Sequence, residues 1–171
     1  NNTRRWRIEH AQMINDSDLN RFKNHSILPS MQPSHCTSDM KWVDKRIGEN
    51  RLRFISRWKS FIDLGLIIPG GSDCPIETGN PLYEFYAAIT RKDHQGWPKD
   101  GWQSQESIDA NQALNMFTTW AAFGGFDETH RGKIDIGYDA DLTILSNDIL
   151  NISNKEILNT SILYTIVNGE I

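Results

Sequence analysis

Ile67-Ile68-Pro69-Gly70-Gly71-Ser72-Asp73-Cys74-Pro75 is the stretch whose reading decides the fold. Leu66, Ile67 and Ile68 are apolar, mostly β-branched, and follow Gly65, a residue suited to ending a helix. They predict a buried strand over Leu66 to Gly71. Gly70 and Gly71 predict a sharp turn at positive φ that brings Ser72 and Asp73 close to a neighbour. A carboxylate at the carboxyl end of a hydrophobic strand stands where barrel enzymes carry their catalytic groups. The plainer reading is an Asp that caps the next helix. Upstream, Arg7-Ile8-Glu9-His10 reads as a second short strand ending in a potential ligand, and the two stretches together point to a metal site.

The elements between these stretches suit that reading. Trp6 to His10 predicts a strand, and Asn15-Asp16-Ser17-Asp18 supplies capping oxygens and early negative charge for a helix to about Asn24. Ser26 to Gln32 predicts the next strand, ended by Pro33. A loop, Ser34-His35-Cys36-Thr37-Ser38-Asp39, follows, and then a short helix carrying Met40, Trp42, Val43 and Ile47. Ile55, Trp58, Phe61, Ile62 and Leu64 have helical spacing and stop at Gly65. The order β-α-β-α-β, with strands this hydrophobic, predicts parallel strands covered by helices, an α/β class.

Further along, Pro81 to Thr90 predicts an apolar helix, and Lys92 to Gln105 a long polar loop with Trp97 and Trp102, either a functional lid or a surface-packed insertion. Ser107 is expected to cap a helix through Ala113, Leu114 and Phe117, and Thr118 to open another ending at Gly124-Gly125. From Lys133 the character changes: Gly132 to Gly137, Ala140 to Leu145 and Leu163 to Ile171 read as strands with turn punctuation. Asn168-Gly169 is a two-residue hairpin signal. The expected domains are residues 1–131 and residues 132–171.

With 171 residues, 38% of them hydrophobic, 23% charged and a net charge of −4, the chain has an ordinary globular balance. Nothing in it predicts nucleic acid or a membrane surface as a partner, and no apolar run approaches the ~20 residues of a membrane span. Cys36 and Cys74 form no CxxC pair, which fits a reducing, cytoplasmic setting; thiolate ligation is a minor alternative. No amino-terminal signal is expected, and a chain that starts without Met and almost at once enters a strand is expected to be part of something longer. There is no GxSxG, Walker or GxGxxG motif. The Gly70-Gly71-Ser72 turn would suit phosphate, but Asp73 beside it argues against an anion. His10 alone would more often be structural, and His35 is open between metal ligand, substrate contact and loop hydrogen bond. His94 and His130, in polar segments, are expected to be exposed.

Arg7-Ile8-Glu9-His10-Ala11-Gln12, Met31-Gln32-Pro33-Ser34-His35 with Asp39-Met40-Lys41-Trp42, and Gly70-Gly71-Ser72-Asp73-Cys74-Pro75 resemble successive motifs of one family. Ala88-Ile89-Thr90-Arg91, Ala113-Leu114 with Phe117-Thr118, and Gly132-Lys133-Ile134 followed by Gly137-Tyr138-Asp139-Ala140-Asp141-Leu142 continue the series. The family is the metal-dependent amidohydrolases of the family-3 type, which include N-substituted formamide deformylase-like enzymes.

The resemblance implies strands six to eight of a (β/α)8 TIM-type barrel, followed by part of a small β-sandwich. It makes His10 the ligand on strand six and Asp73 the ligand and catalytic group on strand eight. His35, Trp97 and Trp102 are the expected substrate contacts, and Glu9, alternating away from His10, an outer-face or supporting group. The cofactor is a divalent metal, zinc by preference, one or two ions in the intact enzyme, with the site incomplete in this chain. The expected partners are a small amide-type substrate and either the amino-terminal half of the barrel or a second copy of the chain. The reading of a different class is a non-catalytic scaffold, binding or assembly module.

Overall fold

A computed structural model describes residues 3–171. In chain order the elements are β1 (Arg7–Glu9), α1 (Asp16–His25), β2 (Leu28–Ser30), α2 (Pro33–Asp39), α3 (Val43–Ile47), α4 (Glu49–Leu52) and α5 (Trp58–Asp63). There follow α6 (Pro81–Thr90), α7 (Ala110–Met116), α8 (Thr119–Gly125), β3 (Leu142–Leu145), α9 (Asn154–Ile157) and β4 (Ile162–Ile166). Among the described residues no helix is long and apolar enough to cross a membrane.

β1 and β2 pair in parallel, Arg7 opposite Leu28 and Glu9 opposite Ser30. The strand expected over Leu66 to Gly71 is present only as a single parallel pairing of Gly70 with Met31. The pairing rests on two hydrogen bonds: Met31 N–H donates to the Pro69 carbonyl at 3.1 Å, and Gly71 N–H to the Met31 carbonyl at 3.3 Å. The ladder cannot lengthen. Pro69, and Pro29 and Pro33 on the β2 side, have no N–H to give, while the Gly70 N–H faces away from β2 and bonds the Met116 carbonyl at 2.9 Å. The parallel βαβ order holds, with a third member that is extended but barely paired. Nor are all strands buried, as their composition suggested: β2 is buried throughout, whereas all three residues of β1 are exposed.

Two helices start where local chemistry directs. Asn15 accepts the Asp18 N–H and opens α1, with Asp16 and Asp18 in the first turn. Asn80 accepts the Leu82 N–H and Pro81 occupies the first turn of α6, where a missing N–H costs nothing. Two expectations fail nearby. Ser34 to Asp39 is not a loop but lies within α2, which starts at Pro33 and packs on α6. Ser107 does not cap α7; Asp109 does, in a capping box with Gln112, while Ile108 turns into the core.

The core lies under α2, α5, α6 and α7: Cys36, Trp58, Phe61, Ile68, Ala87, Ala88, Ala113 and Met116 have no exposed surface. Most of α6 is buried, Glu84 included. The carboxyl-terminal part is thinner. β3 and β4 form an antiparallel pair with a bulge at Ile144/Leu145, and Ile162, Leu163 and Tyr164 are exposed. Residues 132–137 are not a strand; Ile134 and Ile136 are 88% and 100% exposed there, and among the described residues no strand pairs with this segment to supply the ladder that β structure requires. The Asn168-Gly169 turn is as expected, both residues at positive φ (53° and 84°) between paired Val167 and Glu170.

Candidate metal centre

β1 delivers His10 to the end of the short sheet, and the chain there bends sharply, with His10 at φ 67° and Ala11 at φ 34°. Non-glycine residues avoid this region unless their surroundings impose it. Asp73 is the same kind of exception, at φ 56°. The positive φ expected of Gly70 and Gly71 therefore falls on Asp73 instead. Gly70 is required for a different reason: a Cβ there would lie 2.9 Å from Phe117 Cε1 and 3.0 Å from Met116 Cβ. Gly71 faces open space.

His35 enters from the first turns of α2. Its ring lies over that of His10, centroids 5.6 Å apart and planes at 29°, and its Nε2 is 3.8 Å from Asp73 Oδ2. Each of His10, His35 and Asp73 offers one ligand atom, and the three atoms lie within 4.8 Å of one another. His35 Nε2 is buried and has no hydrogen-bond partner among the described residues. A buried ring nitrogen without a partner costs free energy unless something fills the role, and two imidazoles with a carboxylate are a donor set that zinc accepts. The residues present thus fit a divalent cation. The geometry brings His35 to His10 and Asp73, nearer than a substrate contact needed to be.

The surroundings hold the three in place. His10 Nδ1 is 3.0 Å from Gln32 Oε1. Gln12 Nε2 donates to Asp39, one helical turn beyond His35. Burial pushes the Asp39 carboxyl up, against the opposing influence of that Gln12 bond and of His35. Glu9 points outward as alternation predicts, accepting from Ser30 Oγ at 2.6 Å and pairing with Arg7. Cys36 is in the core, where burial raises its thiol pKa, and Cys74 is exposed; neither cysteine belongs to the donor group.

The segment from Lys92 to Gln105 is pinned rather than free. Arg91 is fully buried; its guanidinium lies 4.2 Å from the Trp58 ring centroid and donates to the carbonyls of Trp102 and Ser56. Trp102 N–H returns a bond to the Arg91 carbonyl at 2.9 Å, closing the segment at its base. Inside it, Asp93 accepts the N–H groups of Gln95 and Trp97 at 3.0 Å and pairs with Lys41. Burial opposes charge on Asp93, but these donors outweigh it and hold its pKa below the usual carboxylate value. Trp97 is 51% exposed, while Trp102 packs against the core. His94 and His130 are exposed as expected, His94 with its ring stacked on Tyr83.

A hollow of about 1140 Å³ lies elsewhere, between α7, α8 and β3, lined among others by Thr118, Arg131, Lys133 and Asp141. None of the three donors borders it. Gln32, Asp39 and Glu84, whose carboxylate accepts the Ser34 N–H beside His35 at 2.9 Å, are the supporting residues that sequence reasoning did not single out. Gln32 and Asp39 stood inside quoted motifs, but nothing in their spacing revealed what they touch.

The Amidohydrolase family model matches residues 1–171. The chain is 34% identical over 170 residues to the Bacillus subtilis protein YtcJ, covering 99% of this chain and 32% of YtcJ. It is 28% identical over 111 residues to N-substituted formamide deformylase of Arthrobacter pascens, 65% of this chain and 20% of that one. Its structure is similar to that of an uncharacterized metal-dependent hydrolase of Pyrococcus horikoshii, TM-score 0.76 at 28% identity, covering 86% of this chain and 30% of that one. The chain thus spans about a third or less of the length of these relatives.

Proposed function

This chain belongs to the amidohydrolase family, and on that premise we propose that it carries part of the metal site of a hydrolase that opens amide or similar non-peptide C–N bonds in small molecules. The observation that carries the reading is the convergence of His10, His35 and Asp73, with His35 Nε2 buried and without a hydrogen-bond partner among the described residues. His10 and Asp73 hold a divalent ion, zinc in the first instance, and His35 completes the set from α2. In this reading the sheet and its helices are strands six to eight of a barrel, residues 132–171 belong to a β-sandwich, and other ligands come from the rest of the barrel.

A divalent ion held by these residues would acidify a water and polarise a carbonyl. Asp73, at the rim of the sheet and partly exposed, accepts the proton of the attacking water through its carboxylate and passes it to the leaving nitrogen. The His10 and His35 rings fix the place of attack. Trp97 supplies an apolar wall for the substrate, and Trp102 sets that wall's position from the base of the loop.

Zinc titration calorimetry on the chain and on His10→Ala, His35→Ala and Asp73→Asn tests the site. Each substitution is expected to weaken zinc binding at least tenfold. Equal affinity in all three variants overturns the assignment. In a protein of the relatives' full length, Asp73→Asn is expected to abolish amide hydrolysis.

A further inference from the structure

Gln32 touches both histidines of the donor group, by different parts of itself. Its side-chain Oε1 lies 3.0 Å from His10 Nδ1, and its backbone carbonyl accepts the His35 N–H at 3.1 Å. It is 9% exposed and takes the extended conformation (φ −120°, ψ 104°) that the following Pro33 favours, immediately before α2 begins. Met31, just before it, is the residue that pairs with Gly70, on the segment leading to Asp73.

We propose that Gln32 is the positioning residue of this centre, fixing His10 as its Nδ1–H tautomer so that Nε2 keeps the lone pair a cation needs. The proposal rests on the metal-site reading above and adds to it what sets the ring. A neutral imidazole carries one N–H and one acceptor nitrogen. An amide oxygen accepts and cannot donate, so a 3.0 Å contact with Oε1 requires the proton on Nδ1. Nε2 is then the nitrogen free to ligate, the arrangement that outer hydrogen bonds impose on metal-binding histidines. The same residue starts the helix that carries His35. One buried side chain and its own carbonyl therefore determine the orientation of one ring and the origin of the other.

Ring-nitrogen NMR of the metal-free chain, which has 5 His in all, reads the tautomer directly. Spectra are taken above the imidazole titration range, with His10 assigned by its absence in His10→Ala. The native chain is expected to show His10 protonated at Nδ1. Gln32→Leu is expected to release the ring to the Nε2–H form that free imidazole side chains favour, and Gln32→Glu, which keeps an acceptor oxygen, to restore Nδ1–H. Zinc affinity is expected to fall ten- to a hundredfold in Gln32→Leu, and to recover in Gln32→Glu. An Nε2–H ring in the native chain overturns the proposal, because it means that the amide presents its NH₂. So does an Nδ1–H ring that survives in Gln32→Leu. If Gln32→Leu fails to fold, the native spectrum and Gln32→Glu still decide. A native Nδ1–H ring that is lost in Gln32→Leu, in a chain whose zinc binding ignores His10, His35 and Asp73, sinks the metal reading and leaves the role of Gln32 standing.

Discussion

The carboxylate of Glu84, in the buried face of α6, accepts the backbone N–H of Ser34, in the first turn of α2, at 2.9 Å. Burial is the main influence on this acid and drives its pKa from 4.5 to about 7, against the Ser34 hydrogen bonds that favour the charge. The unfolded chain gives up this proton near 4.5 and the folded chain only near 7. The folded state therefore holds the extra proton, and its stability is full below about 4.5 and falls as pH rises to about 7. The loss attributable to Glu84 is on the order of 3 kcal/mol. Glu84→Gln keeps an acceptor for Ser34 and has nothing to titrate. Urea unfolding across that window is expected to show a steeper decline in the native chain than in the variant. Parallel curves would mean that the carboxyl is not perturbed.

Gly70 and Gly71 separate two reasons for a glycine. At Gly70 a methyl group meets Phe117 and Met116 at 2.9–3.0 Å, so Gly70→Ala is expected to cost roughly 1–3 kcal/mol by overpacking. It should also weaken zinc binding by displacing the segment leading to Asp73. Gly71→Ala points into open space and is expected to stay within about 0.5 kcal/mol of the native chain. Thermal melts of the two variants decide this, and equal losses would contradict it.

Trp97 and Trp102 are expected to part company in the same way. The Trp102 ring packs on the core, so Trp102→Ala should cost about 3 kcal/mol, although its bonds with Arg91 run through the Trp102 backbone and survive the change. Half-exposed Trp97 should change stability by no more than about 0.5 kcal/mol, and in a full-length protein Trp97→Ala should raise KM while leaving kcat within a few-fold. The sequence expectation makes both tryptophans substrate contacts. The Trp102 backbone closes the base of the loop through its bonds with Arg91, so an effect of the Trp102 ring on substrate is expected to come through Trp97.

The β3–β4 pair presents Ile162, Leu163 and Tyr164 to solvent at 47%, 53% and 53% exposure, and Ile134 and Ile136 are nearly bare beside it in sequence. Successive strand residues face opposite ways, so both faces of the ribbon carry apolar surface, each 100 Å² of which is worth about 2.5 kcal/mol when buried. The chain by itself is expected to associate at micromolar concentration, and Leu163→Lys with Tyr164→Lys to reduce that association. Sedimentation velocity showing a stable monomer of the native chain would refute it.

What the sequence determined by itself was local. Asn15 with its acidic first turn, Asn80 with Pro81, and Asn168-Gly169 each specify their structure through partners within a few residues, so α1, α6 and the final turn fall where composition puts them. His10 and Asp73 were legible as candidate ligands because each stands where a strand reading ends at a turn. The tertiary structure decided what depends on distant partners. The strand before Asp73 shrank to one pairing because the fold sets Pro69 beside Pro29 and Pro33, none of which has an N–H to give the ladder. Ser34 to Asp39 became helical because α6 offers a packing surface and a carboxylate to the first turn of α2. That helix in turn carried His35 to within 3.8 Å of Asp73 and left its Nε2 without a hydrogen-bond partner among the described residues. Periodicity records which way a residue faces along its own chain; which nitrogen meets which oxygen is set by the packing of segments that are far apart in sequence.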